Sequence, residues 1–176
     1  FRSAVVDVDT QTSEDRTTLV FRLQSGLPLE IAWEGDDPGG DLKKKIEAEW
    51  NGRVPESYLI SDLALRATWE LRSQRYYLAR VEGSVEETAE GRRVVFTTAK
   101  GPRGTGIRLD FQGNKVVDDA ELTKALPDTK TPEFFVLLDK PSEMEKGIRL
   151  LYASRGYLET FIGTVETRYD AASTTM

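Results

Sequence analysis

The chain has 176 residues, 30 of them acidic and 24 basic, for a formal net charge of -6, and it contains neither cysteine nor histidine. Those two absences exclude disulfides, Cys or His zinc centres, Cys-His nucleophiles and a Ser-His-Asp triad within these residues. A pI near 4.9 argues against a surface that tracks nucleic-acid phosphates, which needs a basic stripe.

No apolar run approaches the roughly 18 residues of a membrane helix, and no charged-then-apolar stretch resembles a signal peptide. A chain without thiols suits an oxidising compartment as well as a reducing one. The sequence opens in a strand pattern, Phe1 to Asp9, as a cut inside a longer protein would leave it. Val6 and Val8 alternate, a polar turn follows at Thr12 to Asp15, and Leu19, Phe21 and Leu23 alternate until Gly26, the pattern of a hairpin.

After the joint Gly26-Leu27-Pro28, a strand with Leu29, Ile31 and Trp33 ends at Gly35. A short helix is predicted over Asp41 to Trp50, where Leu42, Ile46 and Trp50 fall four apart, and Asn51-Gly52 stops it. A longer helix runs from about Glu56 to Tyr76, with Ile60, Leu63, Ala67 and Leu71 on one stripe. The segment YLARVEGSVEET, 77 to 88, reads as a strand, Gly91 marks a turn, and Val94, Phe96 and Thr98 alternate until Lys100-Gly101.

The same order then recurs. Ile107, Leu109 and Phe111 alternate before Gly113-Asn114, and a short helix over Asp118 to Leu126 is stopped by Pro127. A second helix follows Pro141, with Met144, Ile148, Leu151 and Tyr152 at helical spacing, Ser142-x-x-Glu145 as a capping box and Gly156 to close it. It leads into YLETFIGTVETR, 157 to 168, which matches 77 to 88 eighty positions on at Tyr77/Tyr157, Leu78/Leu158, Gly83/Gly163, Val85/Val165 and Glu86/Glu166. Val81 pairs with Phe161, and Tyr, Val or Phe, Gly and Val share one strand face. Met176 aligns with Phe96, so the last strand of this unit is unfinished.

The expected organisation is an α+β tandem. Residues 1–26 read as the C-terminal hairpin of a preceding unit, 27–101 as a complete β-α-α-β-β domain, and 102–176 as a further domain with its last strand truncated. Each complete unit would hold a small three-stranded mixed sheet with two helices on one face. Units of about 75 residues have little core of their own and gain from stacking on neighbours. The joints are too short for free tumbling, so Gly26, Pro28, Gly101, Pro102 and Gly104 are expected as hinges of a semi-rigid arm.

Several local signals bear on chemistry. GPRGTG, 101 to 106, lacks the Lys-Ser/Thr ending of a phosphate loop and precedes a strand, so an interdomain hinge is the better reading. GDDPGGD, 35 to 41, lacks the spacing and closing glutamate of a calcium loop and suits a turn with a helix N-cap. Lys43-Lys44-Lys45 reads as a solvated helix face flanking Leu42 and Ile46, and Trp33, Trp50 and Trp69 lie on apolar stripes as core residues. Asp7 and Asp9 have no nucleophile or metal set beside them. No catalytic constellation emerges, and no enzyme activity, cofactor or metal is expected.

The unit length, the LDFQGN stretch (Leu109 to Asn114) ending its first strand, and LYASRGYLETFIGTVE (Leu151 to Glu166) joining second helix to second strand together resemble the POTRA domain, the polypeptide-transport-associated module of BamA- and TamA-type outer-membrane assembly factors. The resemblance covers essentially the whole chain. Arg155-Gly156-Tyr157 fits the family signature, whereas the earlier unit has Arg75-Tyr76-Tyr77 and lacks its glycine; Gly35 and Gly113 stand where the family places a glycine after the first strand.

What the resemblance implies is a periplasmic arm preceding a C-terminal membrane β-barrel, which receives unfolded outer-membrane proteins alongside accessory assembly proteins or periplasmic chaperones. In the family the second strand lies at the sheet edge, where a client peptide can add a strand. Here that implies a peptide-binding edge at Leu78, Arg80, Glu82, Ser84 and Glu86 and at Leu158, Thr160, Ile162, Thr164 and Glu166. The plainer alternative is an edge guarded against aggregation by Arg80, Glu82 and Glu86. A POTRA docking scaffold of a two-partner secretion transporter or a division protein, with no client handling, is the competing functional expectation.

Overall fold

In a computed structural model, which describes residues 5–13, 16–24, 29–50, 56–88 and 91–176, two hairpins share one geometry. Strands β1 (Val5–Ser13) and β2 (Arg16–Gln24) pair antiparallel, as do β4 (Arg80–Thr88) and β5 (Gly91–Ala99). Every residue of the later hairpin stands seventy-five positions after its counterpart: Val6 opposite Leu23 becomes Val81 opposite Thr98, and Val8 opposite Phe21 becomes Gly83 opposite Phe96. Because a one-residue slip would turn every side chain to the wrong face, alternation of apolar residues sets this register. The environments differ, since Val81, Val94 and Phe96 are buried whereas Val6, Leu19 and Phe21 are exposed. Gly26 and Pro28 lie outside the described residues.

Residues 29–99 form the expected β-α-α-β-β unit: β3 (Leu29–Gly35), α1 (Gly40–Glu49), α2 (Glu56–Ser73), then β4 and β5. The sheet order is β3-β5-β4, with β3 parallel and β4 antiparallel to β5. The last strand in sequence is therefore the central one, and its run Val94-Val95-Phe96 is wholly buried, as suits a strand with neighbours on both sides. Leu42 and Ile46 of α1 and Ile60, Leu63, Ala67 and Leu71 of α2 close over Val81, Val94 and Phe96. Trp33 stacks on Phe96 with ring centroids 4.9 Å apart. Gly35 has φ +76, and a Cβ there would overlap the Thr98 carbonyl oxygen.

Helix α2 ends in a Schellman motif without glycine. Tyr76 N–H donates to Leu71 O and Arg75 N–H to Arg72 O, with Arg75 at φ 77. The missing glycine thus leaves the turn intact and puts an arginine in left-handed conformation, one that favours residues without a Cβ. Arg75→Gly is expected to raise unfolding free energy by roughly 0.5–1 kcal/mol, the relief of backbone strain exceeding the extra unfolded-state entropy of glycine. Urea denaturation with unchanged slope checks it.

Residues 102–176 depart from expectation. They hold α3 (Asp119–Lys124), α4 (Pro132–Leu138) and α5 (Pro141–Ser154), but neither Ile107–Phe111 nor 158–166 forms a strand. Only isolated bridges occur, Gly106 with Thr175 and Asp170 with Thr175. The reason lies in the sheet order: in residues 29–99 both outer strands bond only to β5, and residues 171–176, which align with 91–96, form a turn and bridges instead of a ladder. Ile107, Leu109 and Phe111 nonetheless pack with Phe134, Phe135, Met144 and Val165 in a second core.

Helix α3 is capped by Asp118, whose carboxylate accepts from Glu121 N–H at 2.8 Å. Helix α4, which carries the buried Phe134 and Phe135, has no counterpart in the sequence reading; Pro132 at its first turn after Thr131 is the signal that marks it. In α5 the first-turn proline sets the start at Pro141, with Lys140 at the N-cap and no side-chain cap, so the Ser142/Glu145 capping box does not form. Its end follows the sequence: Gly156 at φ 88 completes a Schellman motif, with Tyr157 N–H donating to Tyr152 O.

The joint at 101–104 is packed and not an open hinge. Gly104 is buried, its N–H donates to Arg75 O at 2.7 Å, and a Cβ there would overlap the Tyr77 ring. Tyr77 stacks on Phe135 at 6.3 Å between centroids. Asp139 accepts from Trp69 Nε1 at 2.7 Å and from Arg72 at 3.2 Å. Gly101 and Pro102 are exposed.

Candidate functional site

Strand β4 stands at the edge of its sheet, with β5 as its one strand neighbour among the described residues. Side chains alternate about it as period-2 geometry requires. Val81 is buried and a Cβ at Gly83 would meet Ile60 of α2, while every residue of the strand other than Val81 is exposed, Arg80, Glu82, Ser84 and Glu86 among them. Leu78 is half-exposed in the turn before the strand. Glu86 lies 3.8 Å from Arg93 of β5, a weak surface pairing.

The backbone settles which groups face outward. Val81 N–H donates to the buried Thr68 Oγ1 of α2 at 3.0 Å, while that hydroxyl donates to Ala64 O at 2.9 Å. Val81 N–H therefore points away from β5, and amides two apart along a strand share direction. The N–H groups of Gly83, Val85 and Glu87 accordingly line the open side. Sequence reading placed its candidates at the even positions, whose side chains are exposed; the backbone donors of the edge belong to the odd ones. Only the tertiary bond from Thr68 fixes that parity.

Gly83 explains the close approach of helix and edge. A Cβ there would overlap Ile60 Cγ2 of α2 and crowd the Phe96 ring. Its twin Gly163 has open space around it. In the later segment Leu158 is 83% exposed, Thr160 Oγ1 donates to Tyr157 O at 3.1 Å, Ile162 is half-buried and Thr164 exposed, and Glu166 pairs with Arg168. The structure does not bring these five into a second strand edge.

The remaining motifs have local roles. Asp36 accepts from Lys100 N–H at 2.8 Å. Asp37 accepts from Gly39 N–H and pairs with Lys43 at 2.8 Å; the Lys43 hydrogen bond holds its carboxyl below the ordinary value. The N-cap of α1 is Gly39, without a side-chain cap, so the acidic stretch makes a turn but does not cap the helix. Lys45 pairs with Glu70. Trp33 and Trp50 pack against the first core and Trp69 against the second. Burial raises the Tyr77 phenol above its ordinary value. No helix among the described residues is long and apolar enough to cross a membrane.

No family model and no curated protein matches the chain. Solved structures similar to it include POTRA3–5 of BamA from Haemophilus influenzae, at 20% identity and TM-score 0.48 over 95% of this chain and 66% of that one. The N-terminal domain of Omp85 from the thermophilic cyanobacterium Thermosynechococcus elongatus matches at 15% identity and TM-score 0.35, over 81% of this chain and 65% of that one. POTRA1–2 of the periplasmic domain of Omp85 from Anabaena matches at 15% identity and TM-score 0.42, over 85% and 89%. The chain spans just under two thirds of the length of the first two. It is thus similar to tandem POTRA segments of BamA and Omp85 proteins.

Proposed function

We propose that this chain is a periplasmic polypeptide-binding arm of an outer-membrane β-barrel assembly or translocation factor, capturing unfolded outer-membrane proteins by strand addition at β4. The observation that carries the reading is the open edge of β4, whose N–H groups at Gly83, Val85 and Glu87 point away from β5. The β-α-α-β-β unit over 29–99 and the Arg155-Gly156-Tyr157 turn support it. In this reading residues 1–26, 27–101 and 102–176 belong to three consecutive units, the partners are unfolded clients, assembly proteins or chaperones, and a C-terminal barrel, and the role is non-enzymatic. Arg80, Glu82, Ser84 and Glu86 flank the bound strand and tune it only weakly, because backbone groups supply the bonds.

The test is a titration of the labelled chain with a peptide of alternating barrel-strand sequence. Val85→Pro and Glu87→Pro remove outward donors and leave the ladder to β5 intact, a position edge strands tolerate. Each is expected to weaken binding about tenfold, against less than about twofold for Glu82→Ala or Glu86→Ala. N-methylation of alternate peptide amides gives the same contrast without touching the protein's fold. Equal effects of backbone and side-chain changes favour a docking scaffold without client handling.

A further inference from the structure

A pocket of about 350 Å³ opens where helix α2 ends, lined by Ser73, Gln74, Arg75, Tyr76, Arg103 and Lys130. Three of those side chains are cationic and none is acidic. Elsewhere on this acidic chain Lys43, Lys45, Arg66, Arg72, Arg93 and Arg155 each have a carboxylate partner, the mixing of signs usual on a surface. Arg75, Arg103 and Lys130 form no ion pair among the described residues.

The three come from separate parts of the chain, and backbone bonds hold them in place. Arg75 N–H donates to Arg72 O at 3.0 Å, and the Arg75 carbonyl accepts from Gly104 N–H at 2.7 Å, next to Arg103. Lys130 N–H donates to Asp128 Oδ1 at 2.9 Å in the turn before α4, and Asp128 itself does not line the pocket. A helix C-terminus attracts cations by its partial negative charge, yet the Glu70, Leu71 and Arg72 carbonyls already accept backbone N–H groups. The cations are therefore not needed as caps. Arg75 also stands at φ 77 where Gly156 closes α5 at φ 88, and a strained backbone at a polar pocket is a pointer to function.

We propose that this pocket binds the phosphate group of a phosphate ester. Two guanidinium forks and an ammonium match a dianionic phosphate in charge and in acceptor oxygens, whereas a single carboxylate would leave most of the positive charge unanswered. Gln74 adds an amide that can donate. All three cations are exposed, so the expected Kd is about 1 mM. This inference does not rest on strand addition at β4.

The experiment titrates the intact, isotopically labelled 176-residue chain with glycerol 3-phosphate. Saturable amide shifts are expected at 73–76, 103–104 and 130. A phosphate monoester gains its second charge near pH ~6, and the chain has no histidine, so binding is expected to be tighter at about pH 7.5 than at about pH 5.5. Arg75→Gly, expected above to stabilise the fold, separates binding from stability: it and Arg103→Gln are each expected to raise Kd about fivefold, against less than about 1.5-fold for Lys124→Gln on α3. A lipid headgroup and a soluble ester present the same phosphate, and vesicles distinguish them. Cosedimentation with phosphatidylglycerol vesicles that Arg75→Gly weakens assigns the site to a headgroup, and glycerol 3-phosphate binding without cosedimentation assigns it to a soluble ester. Absence of saturable shifts at about 10 mM glycerol 3-phosphate overturns the proposal, as does an equal loss in Lys124→Gln, which reports net charge alone. A poly-glutamate peptide that shifts the same amides at lower concentration also overturns it, because the ligand is then an acidic peptide.

Discussion

Gly83→Val is expected to destabilise the 29–99 unit by about 2–3 kcal/mol, while Gly163→Val costs less than roughly 0.5 kcal/mol. The two glycines occupy the same place in the repeated twelve residues, so local propensity predicts equal effects, and if anything a gain from valine in a strand. Packing decides otherwise. A Cβ at Gly83 would overlap Ile60 Cγ2 and crowd Phe96, with the Ile60 carbonyl behind it, so either α2 shifts away from β4 or the side chains leave their rotamers. Such a shift also strains the Thr68 hydroxyl bond to Val81 N–H. Gly163 meets nothing within 4 Å. Urea denaturation followed by tryptophan fluorescence compares them directly; equal midpoints for the two variants would show that α2 does not press on β4.

Tyr77→Ala is expected to cost about 3 kcal/mol and Tyr157→Ala less than about 1 kcal/mol. Tyr77 is 6% exposed, stacks on Phe135 and lies over Gly104, and so ties the end of the α2 turn into the second core. Tyr157 is 47% exposed and meets Tyr152 edge-on. Removing Tyr77 opens a cavity against Phe135 and frees the 101–104 joint, so the variant is expected to be cleaved faster at that joint in limited proteolysis. Asp139 remains to hold Trp69 and Arg72, a partly exposed pairing that does not replace the lost aromatic area. Unaltered proteolysis with lowered stability would place the role of Tyr77 within one unit only.

These pairs show how far the repeat could be read. The alternation of Leu19, Phe21 and Leu23, and of Val94, Phe96 and Thr98, was enough to place both hairpins, because period and register follow from side-chain direction alone. The stripe Ile60, Leu63, Ala67, Leu71 placed α2 for the same reason. Helix α4 escaped because PEFFVLL is short and has Glu133 as its one polar residue, too little to reveal a period. The capping box on α5 failed because Pro141 competes for the first turn and starts the helix before Ser142. The edge strand β4 was legible as a strand, but the outward parity of its amides was not, since it is revealed by a bond from Thr68, thirteen residues away on α2.

By itself the sequence determined the α+β class, the order of elements over 29–99, the two hairpins and the glycine that ends α5. Those features depend on contacts a few residues apart. Tertiary structure alone decided that the last strand is the central one and that Tyr77 and Gly83 are structural keystones where Tyr157 and Gly163 are not. It also decided that 158–166, which shares four of nine residues with 78–86, stays without a ladder. A strand is stabilised by a neighbour distant in sequence, and two similar stretches therefore fold alike only where both find that neighbour.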